Sequence, residues 1–237
     1  MPCAIVDERI SKKCERGLER LGFKVIKVPP ARSLPEPVAS HTDMVMFAHK
    51  NRIITSADYC ECGAWVFSDI REYSRDTEIL FTADSYGNEY PTDAIFNALV
   101  VGKYAFIKPD TVSEAIKEYI CSAGLEPVSV RQGYPACTVL AFGNSAITAD
   151  EGMASALLSK GIRVTLIRNG DISLPPYEYG FIGGASGVFS DKVYFLGDLN
   201  THRDHEIIEK AIRDEGYTPI SLSDEGLFDL GRIIFTE

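Results

Sequence analysis

Short apolar runs alternate along this chain with segments in which apolar residues recur at helical spacing. The clearest example begins at Cys137, where "CTVLAF" predicts a strand, "GN" a tight turn and "SAIT" a second strand. Thr148 and Glu151 have the spacing of a capping box and predict the start of the helix "ADEGMASALLSK". Gly161 predicts the end of that helix, and "IRVTLI" predicts a third strand. The predicted order is therefore strand, strand, helix, strand.

The same order recurs in further segments. One begins at Asp93 with "DAIFNALVV", "GK" and "YAFIK", followed by a second capping box at Thr111 and Glu114 and by a helix that ends at Gly124. Another begins at Gly180 with "GFIGGASGVF", "SD" and "KVYFLG". We expect that hairpin to be followed by a helix and then by the strand "TPISLS".

Two more units complete the pattern. In one, Asp43 opens a hairpin whose first strand contains Met44 to Phe47; Lys50 and Asn51 form its turn, and an irregular helix follows before "EILFTA". The other unit is divided between the ends of the chain: the strand around Ile233 to Phe235 is expected to lie beside "PCAIVDE", which precedes a helix and "FKVIKV".

The five units have nearly equal lengths. Their starts at Asp43, Asp93, Cys137, Gly180 and Asp229 follow one another at 50, 44, 43 and 49 residues, and the step across the termini is 51. A single unit cannot bury its apolar faces, whereas a closed ring of five can. We therefore predict one α/β domain over residues 1–237. A doubly wound sheet is the alternative, but a hairpin before every helix disfavours it. The glycines of "GFIGGASG" lead into a strand, so no helix start is available for a dinucleotide pyrophosphate.

Composition and charge disfavour several classes of function. The formal charge of −10 disfavours a nucleic-acid partner, which would need a basic surface. No apolar run approaches the roughly 20 residues of a membrane span, and we expect a cytoplasmic protein. The six cysteines form no disulfide or zinc-binding pattern, so we expect reduced thiols and no metal. His202 and His205 could offer two ligands at a helix start, but no third is evident and we favour solvated first-turn residues.

A ring of five ββαβ units whose termini share one unit resembles the pentein fold of the guanidino-group-modifying enzymes (GME), in a bacterial branch. These include arginine deiminase, dimethylarginine dimethylaminohydrolase and the amidinotransferases, together with a non-catalytic ribosome anti-association factor. The resemblance covers nearly the whole chain. It implies a five-bladed α/β propeller with pseudo-fivefold symmetry, in which the unit starts converge on a central channel.

The resemblance also implies a catalytic pair. The enzymes of this superfamily have an H-x-D motif at one unit start and a nucleophilic cysteine two units further on. His41-Thr42-Asp43 matches the motif, and Cys137 lies two units later. By the same count, Glu225 or Asp229 is the acidic residue that would bind the guanidinium. Relative to the termini, the catalytic units are rotated compared with the familiar enzymes.

Carboxylates that meet in a confined channel repel one another unless a cation offsets their charge. A planar guanidinium, rich in hydrogen-bond donors, suits such a site. We therefore expect a substrate site built from a set of acidic and amide residues: Asp43, Asp93, Asn97, Asp229 and Glu225.

Two function classes follow. In the first, Cys137 attacks the guanidinium carbon, and His41 protonates the leaving amine and then activates water or a second amine. No metal or organic cofactor is needed, the partner is a cationic small molecule, and homo-oligomer formation is left open. In the second, the ring is a non-catalytic scaffold or ligand-binding protein, Cys137 is a small core residue, and His41 and the aspartates are strand-end or turn residues.

Overall fold

Fifteen strands and seven helices follow one another in the computed structural model, which describes residues 1–237. The strands are β1 (Cys3–Asp7), β2 (Lys24–Val28), β3 (Met46–His49), β4 (Arg52–Ser56), β5 (Glu78–Thr82), β6 (Leu99–Val101), β7 (Tyr104–Ile107), β8 (Glu126–Ser129), β9 (Val139–Phe142), β10 (Ser145–Thr148), β11 (Arg163–Leu166), β12 (Ser186–Phe189), β13 (Lys192–Phe195), β14 (Thr218–Ser221) and β15 (Ile234–Thr236). The helices are α1 (Lys12–Arg20), α2 (Thr42–Val45), α3 (Cys60–Tyr73), α4 (Glu114–Ser122), α5 (Pro135–Thr138), α6 (Glu151–Ser159) and α7 (His205–Asp214).

The strands form five three-stranded sheets with one shared topology. In each sheet the middle strand pairs antiparallel with the first strand and parallel with the third, and a helix connects the middle strand to the third. The predicted ββαβ unit and its fivefold repetition are confirmed. First strands of different units also lie beside each other, as β12 does with β9 and β15, so these strands gather on the inside of the ring.

One sheet joins the two ends of the chain. In it β15 pairs antiparallel with β1, with Ala4 opposite Phe235 and Ile5 opposite Ile234, and β1 pairs parallel with β2. This confirms the predicted sharing of a unit between the termini. Ile5 is fully buried in this strand.

The first strands begin later than the sequence predicts. Asp43 lies in the single helical turn α2, Cys137 lies in α5, and Asp93 lies in a 3-10 turn over Thr92–Ala94. Near the axis the chain cannot continue as a paired strand, and a helical turn satisfies some of its own backbone groups, as in the hydrogen bond from the Thr138 N–H to the Tyr134 carbonyl. The unit starts therefore precede the strands by one turn.

Helix starts also differ from the predicted capping boxes. Asp150 caps α6 by accepting a hydrogen bond from the Met153 N–H, and Ser113 caps α4 in the same way. Each true cap lies two residues beyond the predicted threonine, because Asp and Ser side chains reach the third N–H of a helix as well as Thr does. Gly63 has non-helical backbone angles inside α3, in agreement with the irregular helix that was predicted there.

None of the helices combines the length and the apolar character that crossing a lipid bilayer requires.

We expect ring closure to depend on the core at the junction of the termini. Ile5→Ala should lower the free energy of unfolding by about 2–5 kcal/mol, because it leaves a cavity beneath the β1–β15 pair. Leu158→Ala is the matched control, since Leu158 is 58% exposed on α6, and it should change stability by less than about 0.5 kcal/mol. Urea unfolding measures the stability of both variants. If both lose the same free energy of unfolding, the packing at the junction of the termini is no more important than an exposed position.

Candidate functional site

Two single helical turns bring a thiol and a carboxylate together inside the ring. Cys137 in α5 and Asp43 in α2 are both buried, and the Cys137 thiol donates a hydrogen bond of 2.7 Å to Asp43 Oδ2. Asn97 fixes both turns: its Oδ1 accepts from the Ala136 N–H at 2.8 Å, and its Nδ2 donates to the Asp43 carbonyl at 3.3 Å. The same Nδ2 lies 3.5 Å from Cys137 Sγ. The thiol position is therefore set by residues of three units.

His41 immediately precedes α2 and is 1% exposed. Its Nδ1 lies 3.9 Å from Asp229 Oδ1, and its Nε2 lies 4.0 Å from Asp7 Oδ2. Neither ring nitrogen has a hydrogen-bond partner. An imidazole held between two carboxylates without bonding either is available to other groups, and a buried polar atom with no partner is uncommon enough to mark a functional site.

Two glycines make room for this arrangement. A Cβ atom at Gly231 would lie 2.3 Å from His41 Cβ, and a Cβ atom at Gly184 would lie 1.9 Å from Asp229 Oδ1. The carboxylate of Asp229 is held by the N–H groups of Phe181 and Gly231, at 2.8 and 3.0 Å. These contacts fix the wall of the site that faces His41.

The thiol opens onto a cavity of about 370 Å³. His41, Cys137, Asp93 and Asp229 provide its polar floor. The remaining wall is largely aromatic and apolar and consists of Val38, Met44, Tyr134, Leu174, Tyr177, Glu178, Tyr179 and Phe181. Its volume is in the range of small-molecule sites, and it combines a largely apolar and aromatic lining with a few polar groups.

Burial and like charges dominate the electrostatics. Burial raises the pKa of Cys137 well above its ordinary value, and the charges of Asp43 and Asp229 raise it further. Burial also raises the pKa of Asp43, an effect partly offset by the hydrogen bond from Cys137 and by the field of Arg232. The pKa of Asp229 rises to about 7, chiefly through burial. Burial, with a contribution from Arg9, lowers the pKa of His41 to about 3. The free site therefore holds a neutral thiol and a neutral imidazole.

The model of one protein family matches residues 5–234, and its description is "Family of unknown function (DUF6873)". The chain belongs to the DUF6873 family. No curated protein sequence matches it.

Solved structures show which fold this DUF6873 member has. An amidinotransferase of the saxitoxin pathway, SxtG from Microseira wollei, aligns with a TM-score of 0.55 and 15% identity over 93% of this chain and 88% of its own. The DDAH of Pseudomonas aeruginosa, complexed with citrulline, aligns at 0.55 and 11% identity over 93% and 91%. An agmatine deiminase of C. jejuni with substrate bound aligns at 0.55 and 9% identity over 99% and 92%. The fold is the pentein fold.

Most of the residues predicted for the site lie together in this DUF6873 member. Cys137, His41 and Asp43 offer ligand atoms within 4.8 Å of one another, and Asn97 and Asp229 contact members of this group. Asp93 lines the same cavity, where its Oδ2 accepts a hydrogen bond from the Tyr134 hydroxyl at 2.9 Å. Glu225 does not join them. It lies in a different cavity, where its carboxylate accepts from Ser11 Oγ.

Sequence reasoning missed Asp7 and the aromatic residues. Asp7 ends β1, and the sequence "CAIVDER" offers a buried strand that ends in an acidic residue, which is a usable signal for a site at a strand end. Tyr134 and Tyr177 also line the cavity, and neither of them was assigned to a site from the sequence. Cys137 Sγ, a nitrogen of His41 and an oxygen of Asp43 are also donors of the kinds that bind Zn²⁺, so these three residues are the ones that could hold such an ion.

Because the pKa of Asp229 is raised, we expect the free energy of unfolding to fall as the pH rises. Between about pH 4 and pH 7 the unfolded chain releases this proton and the native state retains it, so the stability that Asp229 contributes at low pH is lost as the pH rises. Asp229→Asn cannot titrate. Its stability relative to wild type should therefore rise by about 4 kcal/mol at most from about pH 4 to about pH 8.

Urea unfolding across that pH range measures this difference. Asp110→Asn, at an exposed aspartate, is the control and should track wild type throughout. A constant offset between Asp229→Asn and wild type at every pH would show that Asp229 is ionised normally in the native state.

Proposed function

We propose that this protein is a cysteine-dependent hydrolase or amidinotransferase that acts on a small guanidino compound. One observation carries the proposal: the Cys137 thiol, bonded to Asp43 and next to His41, lines a cavity that Asp93 and Asp229 also line and whose walls are otherwise largely aromatic and apolar. The amidinotransferase, DDAH and agmatine deiminase structures described above share the fold, and the names of these enzymes refer to the chemistry of guanidino compounds such as agmatine.

The charge of the site selects a cation. Asp43, Asp93 and Asp229 are all buried, and burial raises the pKa of each because a lone carboxylate is costly to desolvate. A guanidinium offers planar N–H donors to several carboxylate oxygens at once and restores their charged state. Oδ1 of Asp43 and Oδ1 of Asp93 have no hydrogen-bond partner, so each can accept from such a ligand.

A bound guanidinium would also change the reactivity of Cys137. In the free site burial and, after it, the charges of the carboxylates raise the pKa of the thiol and hold it neutral, which suppresses nucleophilic attack. A cation placed beside the sulfur stabilises the thiolate and so reverses this effect. Activation is then assisted by the substrate, and the thiol is protected from unrelated electrophiles when no substrate is bound.

The chemical steps follow from the positions of Cys137 and His41. The sulfur attacks the guanidinium carbon, the thiol proton passes to His41, and the imidazolium delivers it to the departing amine as the C–N bond breaks. His41 then removes a proton from water or from a second amine, which attacks the amidino carbon and breaks the C–S bond. If water is the attacking group, the product is a urea derivative. If an amine attacks, the product is a new guanidine.

A non-catalytic ligand-binding protein is the second candidate. The neutral thiol and the imidazole of low pKa favour it, because neither group is poised for chemistry in the free site. This candidate shares the guanidino ligand with the enzyme and differs only in turnover. A cytoplasmic location and the lack of a nucleic-acid partner stay predictions, and homo-oligomer formation stays open.

Cationic and neutral alkylating agents should separate Cys137 from the other thiols. A haloacetamidine should label Cys137 faster than iodoacetamide does, because its amidinium charge is attracted by the carboxylates around the sulfur. Exposed Cys121 is the internal control and should show no such preference. Peptide mapping of the native protein measures both rates. If the haloacetamidine prefers Cys121, or does not label Cys137 at all, Cys137 is not the proposed nucleophile.

Variants should separate binding from turnover. Arginine, agmatine or guanidinoacetate should raise the melting temperature of the wild-type protein by binding the native state. Cys137→Ser should keep this shift and lose all release of citrulline, urea or ammonia; His41→Ala should also bind but lose turnover by at least about 100-fold. Cys121→Ser is the control for both measurements. Activity that survives Cys137→Ser would contradict the mechanism, and binding without turnover in wild type would establish the second candidate.

A further inference from the structure

A second cavity, of about 530 Å³, lies on the opposite face of the segment that carries Asp229. Leu227, Phe228 and Leu230 line this second cavity, whereas Asp229 between them lines the cavity of Cys137. A neighbouring segment repeats this division, with Ser173 facing the second cavity and Leu174 facing the first.

Hydrogen bonds join these two segments into a thin wall. Ser173 and Phe228 form a parallel bridge; the Ser173 N–H donates to the Leu227 carbonyl at 2.9 Å, and the Asp229 N–H donates to the Ser173 carbonyl at 3.0 Å. The two cavities are therefore separated by the thickness of a single layer of backbone. A ligand in one cavity would therefore contact residues whose direct chain neighbours line the other cavity.

The charged groups of the second cavity are one cation, Arg9, and one anion, Glu225. Arg9 donates from Nε and Nη2 to Asp7 at 2.9 and 2.5 Å, while its Nη1 makes no hydrogen bond and its side chain is 39% exposed. Glu225 accepts from Ser11 at 2.5 Å through Oε2, and its Oε1 has no hydrogen-bond partner. One donor and one acceptor of opposite charge are thus unused at the edge of the same cavity.

Apolar side chains form one part of the wall, beside the serines Ser11 and Ser173. Leu196 and Leu227 are buried, Leu230 is 4% exposed, and Phe228 is 37% exposed on the rim. This apolar part of the wall favours a hydrocarbon side chain, and the two charged groups favour a ligand that carries both a carboxylate and an ammonium group.

We propose that the second cavity binds a free α-amino acid with an apolar side chain, its carboxylate on Arg9 Nη1, its ammonium on Glu225 Oε1 and its side chain against Leu227 and Phe228. This site uses none of the groups that the proposed reaction uses. Binding there is independent of whether the protein acts on guanidino compounds.

The ligand carboxylate would act on His41 through Asp7. Arg9 and His41 lie against the same Asp7 carboxylate, since His41 Nε2 is 4.0 Å from Asp7 Oδ2. A ligand carboxylate bound to Arg9 would partly neutralise the Arg9 guanidinium. The negative charge of Asp7 would then act more strongly on the His41 ring. The ligand is therefore also a modulator of the site on the other side of the wall.

Calorimetric titration of the full-length wild-type protein with L-leucine, L-methionine and L-phenylalanine tests the binding without any variant. At least one should bind at millimolar concentration or below. The amide of that amino acid, which lacks the carboxylate, and its desamino acid, which lacks the ammonium, should each bind at least tenfold more weakly. The proposal is overturned if none of the three amino acids binds at 10 mM, or if the analogues bind as well as the parent.

Three variants locate the site. Glu225→Gln and Arg9→Gln should each weaken binding at least tenfold, and Lys13→Gln, an exposed cation on the neighbouring α1, should leave it unchanged. Arg9→Gln deprives buried Asp7 of its partner and could prevent folding. If the Arg9→Gln protein does not fold, the affinity of Glu225→Gln decides the result. Unchanged affinity in Glu225→Gln would place the ligand elsewhere.

The effect on His41 has its own readout. The chain has four histidines, so the ring signals of His41 can be assigned by comparison with His41→Ala. Saturation with the bound amino acid should move the His41 ring signals and leave those of His49 on β3 in place. Binding without movement of the His41 signals would refute the coupling and retain the site.

Discussion

The hydrogen bond from the Cys137 thiol to Asp43, made inside a group of buried carboxylates, is the constraint on which the proposed chemistry depends. It positions the sulfur at 2.7 Å from Oδ2 and at the same time opposes ionisation of the thiol. Burial and the carboxylates both oppose the thiolate, and a bound cation next to the sulfur would offset them. The selection of a guanidino ligand and the activation of the nucleophile are two consequences of one electrostatic arrangement.

The ring holds this arrangement in place. Cys137, Asp43 and Asp229 come from different units, and each lies in or beside a backbone segment that turns at the axis just before a first strand. Backbone bonds between units fix them: the Asp43 N–H donates to the Gly231 carbonyl, and the Gly184 N–H donates to the Cys137 carbonyl. Asp229 and Gly231 directly precede β15, so the pairing of β15 with β1 and the hydrogen bonds of this segment to the Ser173 and Gly184 carbonyls together hold them at the axis.

Much of the fold could be predicted from the sequence, because the unit repeats and the pairing of β1 with β15 is encoded in two short apolar runs. The convergence of Cys137, His41 and Asp43 followed from their positions in the repeat. The helical turns that carry Cys137 and Asp43 could not be predicted, because their apolar residues are buried on every side and so lack a distinguishing period. The choice between Glu225 and Asp229 was open for a similar reason. Both lie in one irregular segment, and only the backbone path decides which of them faces the axis.

The sequence shows that an acidic residue ends β1, but the contacts of Asp7 and Arg9 could not be predicted from it. Asp7 is the last residue of a buried strand, and its contact with His41 crosses from the terminal unit to the next. Such contacts depend on how the units are rotated about the axis, which the spacing of the repeat does not specify. The aromatic wall is a further case, since Tyr177 and Tyr179 belong to a long connection that has no periodic pattern.

The most direct test of the account is the pKa of Cys137 with and without a guanidinium ligand. Thiolate absorbance during a pH titration gives this value when the signal of Cys137→Ser is subtracted from that of wild type. The account predicts a pKa well above the usual thiol range for the free protein and a clear fall when methylguanidinium saturates the site, with no fall in potassium chloride of equal ionic strength. A Cys137 pKa that is ordinary in the free protein, or that methylguanidinium leaves unchanged, would contradict it.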